Sequence, residues 1–290
     1  MRYVLKLTAF AFAAVAAAAF PAHAQIASSP PPEGSMPGWS FAVAPYLWAP
    51  TISANLRATG PRGATVNTSI NAGIGDYISD INAGLMFGAV ARYDRFSVLT
   101  DFMYVNTSLT SNVSHLSSVN LGAGPINIPR SLQLSTGTRS AMTIWSEAGG
   151  YTLLQGDWGN LDGIVGFRML AFNSTTNHLL SANIFGPNNT LALSRTGTLN
   201  VNRIYFDAIG GITGRINIPH SKFYFPFYFD VGDGGVPFTW QAYAGVAYSL
   251  ASWADLSLGY RNLTFQGGGQ NTGVRYLSLH GVIIAANFRF

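Results

Sequence analysis

The chain ends on the stretch RYLSLHGVIIAANFRF, residues 275–290. Every second position, counted back from the last residue, is apolar or aromatic: Phe290, Phe288, Ala286, Ile284 and Val282. Polar residues such as Arg289 and Asn287 lie between them. Because successive side chains of a β-strand point to opposite faces, this alternation predicts a strand with one apolar face that ends in two aromatic rings. The alternative is an ordinary edge strand that happens to end in Phe.

The first 24 residues have the features of a secretory leader. Arg2 and Lys6 accompany an apolar, Ala-rich run at 7–20, and the triplet at 22–24, Ala-His-Ala, fits the small-x-small cleavage pattern. The run is too short for a spanning helix, which needs ~20 apolar residues, and an uncleaved anchor is the alternative. We therefore expect cleavage near Ala24, a Pro-rich lead-in at 25–38 and a single domain at 39–290.

The composition is unusually apolar, with 48% hydrophobic and only 10% charged residues. Without the leader, 14 of the 16 basic residues remain against 12 acidic ones, and they form no Lys/Arg run. We therefore expect no nucleic-acid partner. The absence of cysteine excludes disulfides, thiolate metal sites and Cys nucleophiles. High apolar content in alternate positions, without long apolar runs, is typical of strands that face lipid on one side.

Alternation along the domain predicts about ten strands. Tight turns after Asp94, Gln155, Ile218 and Leu250 alternate with longer connections. This pattern predicts an all-β fold, an antiparallel up-and-down transmembrane β-barrel; eight or twelve strands are the alternatives, because the first long polar segment has room for another pair. The predicted strands span 39–48, 82–94, 96–107, 139–155, 158–173, 203–218, 222–230, 238–250, 253–266 and 275–290.

Four stretches resemble the small outer-membrane β-barrels of Gram-negative bacteria, in the OmpA-type transmembrane-domain and OmpW-like group. They are PYLWAP at 45–50, INAGLMFGAVARYDRFSVLTDFMYVNTS at 81–108, WQAYAGVAYSLASWADLSLGYRNL at 240–263 and NFRF at 287–290. The resemblance implies an outer-membrane location, with membrane lipid and lipopolysaccharide as surroundings. It also implies that the barrel-assembly machinery reads a C-terminal signal at Val282, Ile284, Phe288 and Phe290.

Aromatic residues collect at the predicted strand ends. Trp and Tyr prefer membrane interfaces, where an amphipathic ring sits at headgroup level. One such girdle is predicted at the periplasmic ends, formed by Trp39, Tyr93, Phe96, Trp158, Tyr248 and Trp253. The alternative is that these rings are the core of a soluble β-sandwich.

The phase of each strand predicts five acidic and five basic residues inside the barrel. They are Arg92, Asp101, Glu147, Asp162, Arg168, Asp207, Arg215, Asp255, Arg261 and Arg289. In the fourth strand, Met142, Ile144, Ala148 and Leu154 are predicted to face outward, opposite Glu147. Since a barrel of about eight strands is just filled by side chains, we expect a bonded charge network that plugs the lumen. A narrow path for small solutes or ions, lined by the same charges, is the alternative.

Two further functions follow from other features. Ser278 and His280 share a face, as a nucleophile and its base do in an outer-membrane lipid hydrolase, but no acidic residue joins them. No metal-binding spacing is present, so we expect no enzyme, metal or cofactor. The long polar segments 49–81, 108–138 and 174–202 favour surface interaction or adhesion as the alternative function.

Overall fold

The chain forms long antiparallel strands in the computed structural model, which describes residues 38–59, 65–113, 119–120, 125–126, 132–185, 190–267 and 273–290. The predicted leader, 1–24, and the lead-in up to residue 37 lie outside the described residues. The strands are β1 (Trp39–Trp48), β2 (Thr51–Thr59), β3 (Thr65–Ala72), β4 (Ile81–Tyr93), β5 (Phe96–Val113), β6 (Val119–Asn120), β7 (Pro125–Ile126), β8 (Leu132–Gly156), β9 (Gly159–Phe185), β10 (Thr190–Asn217), β11 (Phe223–Gly234), β12 (Phe238–Ala251), β13 (Ala254–Gln266) and β14 (Gly273–Arg289). A short helix, α1 (Ile74–Tyr77), and a 3₁₀ turn (Ile78–Asp80) precede β4.

Ten strands close into a barrel in the order β1-β4-β5-β8-β9-β10-β11-β12-β13-β14, and β14 pairs back with β1. The closing register places Val43 opposite Phe288 and Leu47 opposite Ile284. The backbone of Phe290 also exchanges two hydrogen bonds with that of Phe41. Closure removes the free sheet edges that would otherwise be open to aggregation. The predicted all-β, ten-stranded antiparallel barrel is confirmed.

One end of the barrel carries the tight turns after β4, β8, β10 and β12, together with the start of β1 and the end of β14. We call it the turn end, and the opposite end the far end. The first polar segment, 49–81, holds the additional pair that the sequence left room for. Strand β2 continues along β14, with Ile52 opposite Leu279, and β3 pairs with β2.

Helix α1 is attached where β1 passes into β2. The Tyr77 hydroxyl donates a 2.5 Å hydrogen bond to the carbonyl of Pro50, and burial raises the pKa of that hydroxyl. This contact lies beyond Pro45 and Phe87, the last pair between β1 and β4 on the far side. The helix is therefore fixed beside the part of the wall where β1 and β4 have separated.

Strands β8, β9 and β10 are 25, 27 and 28 residues long. Crossing a bilayer takes only about 9–11 residues per strand, so these three strands extend well past the far end of the barrel. They include much of the segments 108–138 and 174–202, which the sequence analysis treated as loops. The difference has a physical cause: where water touches both faces of a sheet, backbone pairing continues but the period-two pattern disappears.

Among the described residues, no helix has the length and apolar character needed to cross a membrane.

Candidate functional site

Charged side chains from seven of the ten barrel strands point into the lumen. Eight of them are at most 6% exposed: Arg92, Asp162, Arg168, Asp207, Asp230, Asp255, Arg261 and Arg289. Asp101 and Arg215 also face inward, but they are only partly buried. An isolated buried charge costs several kcal/mol, so the arrangement of partners decides what this lumen can do.

The centre of the lumen is crossed by one connected network, which we call the ionic layer: Asp230, Arg168, Gln241, Arg261, Asp101 and Tyr46. The Arg168 guanidinium makes a two-pronged salt bridge to the Asp230 carboxylate, with Nη1 2.9 Å from Oδ1. Arg168 Nε also donates to Ser146 Oγ at 3.1 Å. Both members of this pair are fully buried. A two-pronged pair of this kind is the strongest class of protein hydrogen bond.

Gln241 joins the two halves of the ionic layer. Its Oε1 accepts from Arg168 Nη2 at 3.3 Å and from Arg261 Nη2 at 2.9 Å. Arg261 in turn lies 2.5 Å from the Asp101 carboxylate, to which the Tyr46 hydroxyl donates at 2.6 Å. The layer therefore runs from β11 through β9, β12 and β13 to β5 and β1. It bridges opposite sides of the barrel.

Two further ion pairs lie near the turn end. Arg92 contacts the Asp162 carboxylate and donates to Thr152 Oγ1 at 2.6 Å. Arg289 contacts the Asp255 carboxylate, which also accepts from the Tyr224 hydroxyl at 2.8 Å. In each pair the two opposite charges compensate each other within the lumen, and a neutral side chain adds a further hydrogen bond.

Two inward charges lack an ionic partner among the described residues. Asp207 lies toward the far end and accepts a 2.8 Å hydrogen bond from the backbone N–H of Val236. Arg215 lies toward the turn end, with its guanidinium carbon 4.8 Å from the centre of the Tyr224 ring. Both are on β10, eight residues or about 26 Å apart along the strand, so they do not pair with each other.

The lumen is apolar on the far side of the ionic layer. We call this region the apolar layer; it contains Trp48, Met103, Ile144, Leu170, Val236, Leu263, Phe265, Leu277, Leu279 and Ile283, each at most 8% exposed. Sequence reasoning missed it. The sequence of β14 nevertheless contains the change from polar to apolar lining. Its inward residues are polar near the end of the chain, at Arg289 and Asn287, and apolar farther back, at Ile283, Leu279 and Leu277.

A cavity of about 200 Å³ lies beside the ionic layer, toward the turn end. Its lining includes Tyr46, Tyr228 and Tyr243 together with the polar residues Asp101, Gln241, Arg261 and Asn287. At roughly 30 Å³ per water molecule, it has room for a few waters with several polar partners each. The side chain of Asp101, which lines this cavity, is 26% exposed.

The structure places nine of the ten predicted interior charges in the lumen, and Glu147 is the exception. Its neighbours on β8, Ser146 and Ala148, are buried on the inner side, so Glu147 points outward. In register it lies between Thr100 and Phe167. Asp230 was not among the predicted interior charges. It is an even number of residues from Tyr224 and Tyr228 on the same strand, so it shares their inward face.

A β-bulge explains the error on β8. The pairing with β9 shifts register between Thr152 and Leu154, and the extra residue reverses the inward and outward positions on either side of it. Leu154 faces outward as predicted, whereas Ile144 and Ala148, which have the same parity, are buried in the lumen. Met142 likewise packs against the apolar layer. The predicted outward positions of these three residues are wrong.

The outer surface of the barrel is an apolar band. Val165, Leu258 and Ile284 are each about half exposed or more. At the turn end, the predicted girdle residues Trp39, Tyr93, Phe96, Trp158, Tyr248 and Trp253 are all at least 36% exposed. Aromatic pairs such as Trp145 and Phe167, with ring centres 5.1 Å apart, lie nearer the far end. An apolar band with aromatic rings at its borders is a surface for hydrocarbon rather than water.

Ser278 and His280 lie outside the lumen. Their neighbours Leu277 and Leu279 fill the apolar layer, so both polar residues point outward. The Ser278 hydroxyl lies 3.2 Å from that of Thr264, which gives Ser278 a hydroxyl partner. Among the described residues, no cluster of three or more potential metal ligands is present. The expectation that the protein is not an enzyme stays a prediction.

The ionic layer leads to a stability prediction. Replacing Arg168 with Met leaves the Asp230 carboxylate buried without its partner, so we expect the free energy of unfolding to fall by about 3–5 kcal/mol. Urea unfolding of the barrel in phospholipid vesicles, followed by Trp fluorescence, measures this change. The double variant Arg168→Met/Asp230→Asn should recover part of the loss. The control is Arg139→Met, which removes an arginine from an exposed position. An equal loss of stability in the control would contradict the structural role of the Arg168–Asp230 pair.

For Glu147, in contrast to Arg168, we predict that replacing the charged side chain stabilises the barrel. A carboxylate on the lipid-facing wall is unfavourable, so Glu147→Leu should raise the free energy of unfolding in vesicles by about 1–2 kcal/mol. Glu147→Gln, which removes the charge and keeps the shape, should give a smaller increase. If both variants lowered the stability, Glu147 would have a bound partner on the outside of the barrel.

No protein-family model and no curated protein matches the chain. Among solved structures, the outer-membrane protease OmpT of Escherichia coli is similar at 8% identity and a TM-score of 0.40, over 88% of this chain and 97% of that one. Neisserial surface protein A is similar at 12% identity and 0.26, over 87% and 99%. Ail of Yersinia pestis is similar at 11% identity and 0.26, over 88% and 100%.

The geometry of the chain itself decides its class. The barrel is closed and antiparallel, its exterior is an apolar band bordered by aromatic rings, and its interior is polar at the turn end. In such barrels the short turns face the periplasm, and so does the turn end here. The chain is an integral outer-membrane β-barrel protein of a Gram-negative bacterium.

Proposed function

We propose that this protein is a structural barrel whose lumen is closed to solutes. The observation that carries the proposal is that two successive layers of different chemistry cross the lumen. The ionic layer spans it from Asp230 to Asp101 through Gln241, and the apolar layer lies on its far side. An ion that displaced the first layer would still meet the second, whose apolar side chains cannot replace its hydration shell; the Asp207 carboxylate beside Val236 is a charged group next to this layer.

The narrow pore is the competing function of the same lumen. It requires the guanidinium of Arg261 to move away from Asp101 and Gln241. This movement is unfavourable, because it leaves buried charges without partners. It also requires water to enter a region lined by Leu263, Leu279 and Ile283. Both requirements favour the closed barrel as the resting state.

Single-channel recording in a planar bilayer tests this function. We expect the refolded mature chain to give no discrete conductance steps. Arg261→Ala alone should also stay closed, since the apolar layer remains. Combining Arg261→Ala with Ile144→Ala and Leu279→Ala removes side chains from both layers and should open a path.

Heat-modifiable gel mobility provides the folding control for each variant in that series. Discrete steps in the unaltered protein that shift with Arg261→Ala would contradict the closed barrel. They would assign selectivity to the inward charges instead.

A second candidate function, surface interaction, is favoured by the length of β8, β9 and β10. Their extensions past the far end form a paired sheet, which under this proposal lies outside the cell. Exposed surfaces of this kind are where binding residues usually occur. Under this proposal the closed barrel is the membrane anchor and the extension is the part that contacts other cells.

Shortening the β9–β10 hairpin tests the second candidate. Thr176 lies opposite Leu199, so residues 177–198 can be replaced by an Asn-Gly turn without changing the register below. We expect assembly to be unchanged and adhesion of bacteria to host cells to be lost. Adhesion equal to that of the unaltered protein would exclude this hairpin as the binding surface.

Two partners belong to this proposal. Membrane lipid and lipopolysaccharide would surround the apolar band, where Val282 and Ile284 are exposed. The assembly machinery would read Val282, Ile284, Phe288 and Phe290 before β14 closes onto β1. The position of Phe290, which makes the last backbone pair of the barrel with Phe41, supports that role.

A further inference from the structure

A second space in the molecule lies at the turn end, apart from the cavity in the lumen. It is a pocket of about 610 Å³ beneath the β8–β9 and β10–β11 turns. Inward side chains form its inner wall and turn residues form its rim. Those used below are Trp158, Arg215, His220, Lys222, Tyr224 and Arg289.

The lining of this pocket has an excess of positive charge. It includes three cationic side chains, Arg215, Arg289 and Lys222, against the single carboxylate of Asp157. Arg289 is already compensated by its contact with Asp255. For Arg215, by contrast, no carboxylate in the described part of the chain is within ion-pairing distance. The pocket therefore contains a guanidinium that lacks an anion.

The guanidinium of Arg215 is held in place rather than free. It lies 4.8 Å from the centre of the Tyr224 ring, and Tyr224 is itself fixed by donating to Asp255 at 2.8 Å. Stacking on an aromatic face leaves the edge of a guanidinium, with its fork of N–H donors, available to a ligand in the plane. This geometry suits the bidentate recognition of an oxyanion.

The rim of the pocket is also preformed. Asn217 joins the two turns, because its backbone N–H donates to the carbonyl of Trp158 at 2.7 Å and its side-chain amide donates to that of Asp157 at 3.1 Å. His220 adopts a left-handed conformation, with φ of 57°, which lets the chain reverse between β10 and β11. Lys222 follows this turn and is exposed at the opening.

We propose that this pocket binds a phosphate-type oxyanion from the periplasmic side, with Arg215 as the principal ligand and Lys222 as a second. Two sources share this chemistry: free phosphate, and the phosphate of a lipid headgroup in the inner leaflet. The second is within reach because Trp158, in the pocket lining, also belongs to the girdle at the turn end. The site does not depend on whether the lumen conducts.

Calorimetric titration of the full mature barrel in maltoside micelles free of phosphate tests the proposal. One arm adds inorganic phosphate, and the other adds short-chain phosphatidylglycerol, at constant ionic strength. Fluorescence of Trp158 gives a second readout, with Trp158→Phe identifying its signal. Saturable binding of inorganic phosphate assigns the free ion. Saturable binding of the lipid alone assigns the headgroup. Binding of neither overturns the site.

Variants locate the binding. Because a hydrogen bond to a charged group is worth about 1.5–3 kcal/mol, Arg215→Gln should weaken binding at least about tenfold. Arg215→Lys should keep part of the affinity. Lys222→Gln, at an exposed position that leaves folding intact, should weaken binding by a smaller factor. Arg95→Gln removes a cation from another turn at the same end and should leave the affinity unchanged. Equal affinities for all four variants would overturn the assignment to Arg215.

Discussion

The closed barrel depends on the neutralisation of charges that have been taken out of water. In the ionic layer one neutral side chain, Gln241, accepts from both Arg168 and Arg261, and each of these arginines also has its own carboxylate. A buried pair is stable only when the remaining donors and acceptors are also satisfied. The layer meets most of this requirement, although the Nε of Arg261 is buried without a hydrogen-bond partner in the described part of the chain. Because it connects six strands, the layer stabilises the barrel shape as well as its own charges.

Closure and charge pairing depend on each other. The pairs join residues far apart in the chain: the Arg261 and Tyr46 side chains are 215 residues apart and 3.1 Å from each other. Such contacts require β1 and β13 to face one lumen, which the pairing of β14 with β1 provides. In return, side chains that meet across the lumen hold opposite walls at a fixed distance, which a ten-stranded sheet alone does not impose.

The lumen divides into three zones along its axis, and each zone has a different chemistry. The turn end is ionic and open to the periplasm, with Arg215 uncompensated by protein carboxylates. The centre is ionic and compensated, and the far side is mainly apolar, with the buried Asp207 carboxylate beside Val236. This order separates the place where a charged ligand can bind from the place where a solute is stopped. A site at the turn end and a closed lumen are therefore compatible in one barrel.

The sequence by itself determined what depends on neighbouring residues. Alternation along residues 275–290 predicted the closing strand, and the tight turns between alternating segments predicted the strand count. Exposed rings such as Trp39 and Trp253 were assigned to the girdle because they lie at predicted strand ends. Alternation is a local property, since each side chain's face follows from that of the residue before it.

Tertiary structure decided what depends on pairing between distant strands. The bulge between Thr152 and Leu154 turned Glu147 outward, and it is recognisable only from the register of β8 against β9. The partners of Arg168 and Arg261 were set by which strands meet across the lumen. The polar extensions of β9 and β10 remained strands because they pair with each other, although their side chains carry no pattern. In each case the physical reason is that backbone register and lumen contacts are fixed by closure of the barrel, which no short stretch of sequence encodes.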